Sequence, residues 1–255
     1  METSPISELR SRRRRKRLNR ITALLGGQDA PIRKIGPLYL SRRNFSWWIG
    51  TLFMIGAFCF AAGTVIAVSD NPEASGIVYF VGSIFFTTAA YFQFLEAVNT
   101  DGPGEHRTGV RAFAWLPERI EWRATFIQLI GTLFFNVSTF AAMRDFAPGL
   151  VERRVWAPDV LGSICFLVAS WLAYWEVRSN WRGHPERGSE WWVTVLNLVG
   201  SIAFGISAIG AYVIKDTGDV LNAVAANSGT FIGAVCFFAG AYLLWPEAAD
   251  AAAAG

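Results

Sequence analysis

Three glutamates recur at one offset in this chain: Glu96, Glu176 and Glu247 each stand fourteen residues after a glycine, Gly82, Gly162 and Gly233. Each falls at the carboxyl end of an apolar run. There the helix macrodipole disfavours an anion by about 0.3–1 kcal/mol, so local helix chemistry does not account for a carboxylate three times over. Two accounts are open. Each glutamate is held separately by a neighbouring cation, such as Arg178 or an arginine of the amino-terminal run. Alternatively the three converge, and a ring of carboxylates at one mouth of a bundle attracts cations. Pro246, directly before Glu247, ends that helix early and weakens the equivalence of the third copy.

Other residues with chemical potential are sparse. His106 in Glu105-His106-Arg107 and His184 in His184-Pro185-Glu186 occupy corresponding loops, but the cations beside them oppose a metal, and no cofactor is expected. Cys59, Cys165 and Cys236 lie inside apolar runs, where free cysteine behaves as a small hydrophobe; no CxxC or disulfide framework is present. The chain has no Ser/His/Asp order, phosphate loop or dinucleotide fingerprint, and no cluster of ionisable groups at membrane depth, so enzymatic activity is not expected.

The elements that must position these residues are six apolar runs, 47–68, 77–95, 124–142, 158–175, 192–213 and 220–245, none with an Asp, Glu, Lys, Arg or His in its middle. A bilayer core asks for about 20 such residues per helix. A soluble helix of that length would show a charged face at helical period, whereas these runs are apolar or small all round. The runs also pair. Their second members align without a gap, as Gly82, Phe86, Ala89, Tyr91 and Glu96, then Gly162, Phe166, Ala169, Trp171 and Glu176, then Gly233, Phe237, Gly240, Tyr242 and Glu247. Their first members align as Trp47, Gly56 and Phe60, then Trp122, Gly131 and Phe135, then Trp191, Gly200 and Phe204. Agreement at that many fixed offsets marks an internal repeat. The expected fold is therefore all-α: a polytopic membrane protein with six transmembrane helices arranged as three tandem helical-hairpin repeats. The chain divides into a basic segment 1–45, hairpins 46–97, 121–177 and 190–247, loops 98–120 and 178–189, and an Ala-rich tail 248–255.

At 100° per residue, the glycine, the phenylalanine four later, the small residue seven later and the glutamate fourteen later fall at about 0°, 40°, −20° and −40°, a single stripe. That stripe is a packing face. Helices in lipid have no hydrophobic drive toward one another, so close approach relies on small residues; Gly56, Gly82, Gly131, Gly162, Gly200, Gly229 and Gly233 are the expected points of contact, the last pair forming a literal GxxxG. Tyr91, Trp171 and Tyr242 point about 180° away, toward lipid or another subunit. Gln128 and Asn197 share the glycine face of their helices and are expected to bond across helices.

Orientation follows from nineteen Lys and Arg residues on one side of the runs against Arg144, Arg153, Arg154 and Lys215 on the other, which places both termini in the cytoplasm. Trp47, Trp48, Trp122, Trp191 and Trp192 then sit at cytoplasmic span ends, where indoles prefer the interface. No apolar core follows the basic start closely enough for a secretory signal. Arg12, Arg13, Arg14, Arg15, Lys16 and Arg17, with Ile6, Leu9, Leu18, Ile21 and Leu25 among them, suit a helix lying on anionic lipids of the cytoplasmic leaflet. The run lacks the interleaved aromatics of a nucleic-acid binder, and none is expected as partner. A homo-oligomer or a membrane-protein partner is compatible with the outward aromatics.

Glu190-Trp191, Asn197, Gly200-Ser201 and Phe204, followed by the Gly-Ser/Ala-x-x-Phe helix, resemble the YrhK-like family of small bacterial membrane proteins, which are two-span hairpins of uncharacterised function. The resemblance covers each hairpin, although Ser46 and Phe53 replace Glu and Asn in the first. It implies a membrane hairpin fold in the bacterial cytoplasmic membrane and carries over no catalytic residue. Coupled transporters need an intramembrane ionisable group or broken helices, and neither is evident. The expected function is a non-enzymatic scaffold, sensor or partner-binding protein. The alternative is a pore or facilitator for a small or cationic solute, with the glutamate ring at its cytoplasmic mouth.

Overall fold

A computed structural model of the chain describes residues 45–69, 71–100, 111–180 and 188–245. Six long helices account for most of these residues: α1 Phe45–Val68, α2 Pro72–Asn99, α3 Ile120–Ala142, α4 Ala157–Asn180, α5 Ser189–Gly210 and α6 Ala223–Tyr242. All six are long and apolar enough to cross a membrane. No strand occurs among the described residues beyond one isolated bridge, Val213 to Val220. That bridge belongs to the α5–α6 connection, whose turn needs Gly218 at φ 75°, a left-handed conformation that side chains rarely adopt.

The helices begin for identifiable reasons. Asn71 caps α2 by accepting from Ala74 N at 3.2 Å, and Asn222 caps α6 by accepting from Ala225 N at 2.9 Å. The corresponding residue before α4 is Val151, which cannot cap, and there the helix does not start. It runs back through a π-helical turn, Glu152–Trp156, to a short helical piece, Pro148–Val151. Pro158 explains the wide turn: it has no N–H to give the carbonyl four residues earlier, and its ring would clash with that carbonyl. The chain responds by closing an i+5 bond instead, from Ala157 N–H to Glu152 O. The expected start at 158 is thus corrected, because the proline lies inside the helix rather than at its first turn.

Each hairpin is closed by a pair of facing glycines. A Cβ on Gly56 would stand 3.0 Å from the Gly82 carbonyl oxygen, and one on Gly82 would stand 3.1 Å from the Gly56 oxygen. Gly131 and Gly162 repeat this at 3.1 Å in both directions, and Gly200 and Gly233 at 3.1 and 3.0 Å. The hairpins then join side by side: α2 packs on α3, α4 on α5, and α6 returns to α1, so the six helices form a closed ring.

Six phenylalanines fill its middle. Phe60, Phe135 and Phe204 form one triangle, with ring centroids 6.5, 6.0 and 6.0 Å apart. Phe86, Phe166 and Phe237 form a second, with separations of 6.2, 5.9 and 5.6 Å. Each ring of one triangle meets a ring of the other from its own hairpin, at 5.3, 5.1 and 5.3 Å. The result is a trigonal prism of buried rings. Such pairs contribute about 0.5–1.5 kcal/mol each beyond the area they bury.

Candidate functional site

Three places in the bundle bear on function: the prism, the end where α2 and α4 terminate (the carboxylate end), and the opposite end (the π-turn end).

At the carboxylate end, Glu96 is half-buried and accepts a hydrogen bond from Ser46 Oγ at 2.9 Å. Ser46 holds the place that Glu121 and Glu190 hold in the other hairpins, so the first hairpin offers its glutamate a hydroxyl donor. Glu176 is likewise half-buried at the same offset on α4. Glu247, Arg12 to Arg17, His106 and His184 lie outside the described residues, as do Gly104 and the tail 248–255.

Trp122 lies in the first turn of α3, at the expected span end, and is enclosed there by protein. It is only 3% exposed, stacks on Phe126 at 4.7 Å, and donates its indole N–H to Ala114 O at 2.8 Å. The segment before α3 folds over it, supplying Trp115 at 4.9 Å, and α2 supplies Phe94 at 6.0 Å. Asn99 fastens that segment, accepting from Arg111 N at 2.7 Å and donating to Arg111 O at 2.8 Å. Trp47 instead stacks on Trp245 across the α6–α1 junction, with centroids 6.3 Å apart.

Polar links between helices also fall elsewhere than expected. The side-chain amides of Gln128 and Asn197 make no hydrogen bond among the described residues; Asn197 Oδ1 packs against Gly240, where an added Cβ would stand 2.9 Å away. Hydroxyls, and one other amide, do the linking. Ser83 pairs with Thr139 at 3.0 Å, Ser170 with Ser201 at 2.8 Å, and Asn136 donates to Thr87 Oγ1 at 2.8 Å. These bonds join neighbouring hairpins, where each buried hydroxyl needs a partner. The short hydroxyl side chains among them give no signal to a reading for amides, and Asn136 has no counterpart amide at its offset in the other hairpins.

At the π-turn end, the second and third hairpins are clasped together. Trp156 donates its indole N–H to Ala208 O at 2.8 Å and meets Tyr212 edge-on at 4.9 Å. Lys215 lies 2.6 Å from Glu152, and hydrogen bonding to that carboxylate, with its charge, raises the ammonium pKa. Asp159 follows on the same helix. It sits well inside the continuous helical run, half-buried, at the offset that Tyr79 and Thr230 hold in the other hairpins, and it makes no hydrogen bond or ion pair among the described residues. Its position at the edge of a hydropathy window hid it from the sequence.

Among the described residues no three His, Cys, Asp or Glu side chains gather closely enough to hold a metal ion. Cys59, Cys165 and Cys236 are free and half-buried. Tyr91, Trp171 and Tyr242 are exposed, at 38, 51 and 55%. Comparisons with protein-family models, with curated proteins and with solved structures find no match to this chain.

Proposed function

We propose that the chain is a multi-pass integral protein of the bacterial cytoplasmic membrane, with both termini cytoplasmic, that acts without enzymatic chemistry as a scaffold, sensor or partner-binding protein. Membrane insertion is supported by how little the bundle hides: no span has more than 44% of its most apolar window buried. The rest, including Phe58, Val137, Ile206 and Phe238, lies on the outside of the ring and requires an apolar solvent. The excess of Lys and Arg on one side of the spans supports the orientation. Within this reading the chain is three YrhK-like hairpins in tandem, on the residues that carry that resemblance, and its basic amino-terminal run lies on anionic lipid.

The single observation that carries the choice of function is the phenylalanine prism. A conducting path along the middle of the ring needs a lumen with polar lining. Here six buried rings occupy that position. The apolar plug supports a packed bundle whose outer faces and basic surface do the work, with Tyr91, Trp171 and Tyr242 available to a second copy or a membrane partner. Proteoliposomes containing the purified protein should show no more flux of potassium, protons or glycerol than empty liposomes. Flux above that background for any of the three would replace this reading with the pore or facilitator.

A further inference from the structure

A cavity of about 410 Å³ opens between α2 and α3 on the outer surface of the ring, near the π-turn end. That volume is within the usual range of small-molecule sites. Phe80 and Ile84 form one wall, and Val137 and Phe140 the other. Ile84, Val137 and Phe140 are exposed, so the cavity is a groove open to whatever surrounds the bundle. At its head stand Arg144 and Arg154, both exposed, and neither makes an ion pair among the described residues. Arg144 is laid against the groove, its guanidinium carbon 4.5 Å from the centre of the Phe140 ring. From Val137 to Arg144 the rise is about 10 Å.

We propose that this groove binds an anionic phospholipid of the leaflet at the π-turn end, its phosphate held by Arg144 and Arg154 and an acyl chain lying along Phe80, Ile84, Val137 and Phe140. The proposal rests on the membrane reading above. Two features together select this occupant. Guanidinium forks match phosphate oxygens in geometry and charge, and two lining one cavity that has no carboxylate among its lining residues call for an anion. A free inorganic anion would use only the head and leave the apolar groove unfilled. A zwitterionic lipid would fill the groove but bring its own cation to the arginines. An anionic lipid satisfies both parts, and does so on the side of the spans that is otherwise poor in cations.

The experiment uses the full chain in nonionic detergent, with melting temperature read after addition of phosphatidylglycerol, phosphatidylcholine or sodium phosphate. Phase separation of the detergent comes first: a chain that partitions into the aqueous phase fails the membrane reading itself, separately from the lipid site. For a detergent-partitioning chain, phosphatidylglycerol should raise the melting temperature well above the phosphatidylcholine value, and phosphate alone should not. Arg144→Gln with Arg154→Gln should lose most of that difference. Val137→Trp, which fills the groove, should lose the rise with either lipid, while Arg153→Gln, a cation on the same turn outside the groove, should keep it. Native mass spectra of the unmodified protein give a second measure, with phosphatidylglycerol retained in preference to phosphatidylcholine. Equal effects or equal retention of the two lipids, an equal rise with phosphate alone, or an equal loss in Arg153→Gln would overturn the proposal.

Discussion

Ser207 and Thr230 share a 2.7 Å hydrogen bond across the third hairpin, and at the corresponding places of the second stand Ser138 and Asp159. The two serines behave alike: Ser207 Oγ donates to Ala226 O at 2.6 Å and Ser138 Oγ to Val155 O at 2.8 Å. What differs is the partner. Asp159 sets a carboxylate, with no hydrogen bond among the described residues, where Thr230 sets a hydroxyl.

Replacing Asp159→Thr should therefore stabilise the protein. It removes a half-buried carboxyl group that has no hydrogen-bond partner among the described residues and places a hydroxyl within reach of Ser138, a change worth about 1 kcal/mol for the hydrogen bond alone. The melting temperature in detergent at neutral pH should rise by a few degrees. A fall would mean that the carboxylate is held by an interaction outside the described residues.

Gly162→Leu or Gly233→Leu should be far more damaging than Tyr91→Leu. A Cβ at Gly162 would stand 2.9 Å from the Phe135 ring and 3.1 Å from the Gly131 oxygen, and at Gly233 2.6 Å from the Phe204 ring and 3.0 Å from the Gly200 oxygen. Ring and backbone must both yield, and overpacking of this kind costs about 1–3 kcal/mol or more. Tyr91 is exposed and its loss leaves the interior unchanged. Equal falls in melting temperature for all three variants would remove the packing role from the glycines.

These positions also show how far the residues spoke before the structure. Gly56, Phe60, Gly82 and Phe86 recur at offsets that put them on one helical face, and because helix periodicity is rigid, their contacts could be anticipated. Pro158 could not be read so simply. A proline at the edge of an apolar window looks like a helix start, yet the π-turn lets the helix pass through it, and only the structure shows that this brings Asp159 inside. The burial of Trp122 could not be read either, because it depends on a non-helical segment, Arg111 to Leu116, whose path no periodicity describes. Residue type points to Gln128 and Asn197 as linkers, but the links are made by shorter hydroxyls that fit between close backbones and by the amide of Asn136. The fate of Glu247 lies beyond the described residues, so whether three carboxylates meet was legible in neither.

Topology gives a direct check of orientation. In a variant with Cys59, Cys165 and Cys236 replaced by alanine, single cysteines at Asn71 and Asp216 should react with an impermeant maleimide in intact cells. One at Gly104 should react only after permeabilisation. The expectation rests on the distribution of Lys and Arg. Reaction at Gly104 in intact cells would invert the molecule.

Glu96→Gln, Glu176→Gln and Glu247→Gln separate the two accounts of the carboxylates. If each is held by its own partner, as Glu96 is by Ser46, the losses should each be about 1 kcal/mol or less and should add in the triple variant. A ring of like charges would behave differently: the first neutralisation removes the repulsion between that group and the other two, so single variants would gain stability, and because the pairwise repulsions are shared the gains would not add. Thermal melts of the three single variants and the triple variant decide between them.

The prism has an electrical consequence. Its six side chains carry no polar atom, and a proton moves through a protein along a chain of hydrogen-bonding groups, so the chain is interrupted there. If the ring spans an energised bilayer, as proposed above, its interior at the prism offers a transmembrane potential no wetted passage. Moving one elementary charge across such a potential is worth about 2.3 kcal/mol per 100 mV. Asp159, seven residues before Phe166, and Glu176, ten after it, stand on opposite sides of that barrier. On that membrane reading they share one helix but not one potential, and the prism leaves no hydrogen-bonded path for a proton through the middle of the ring from one to the other.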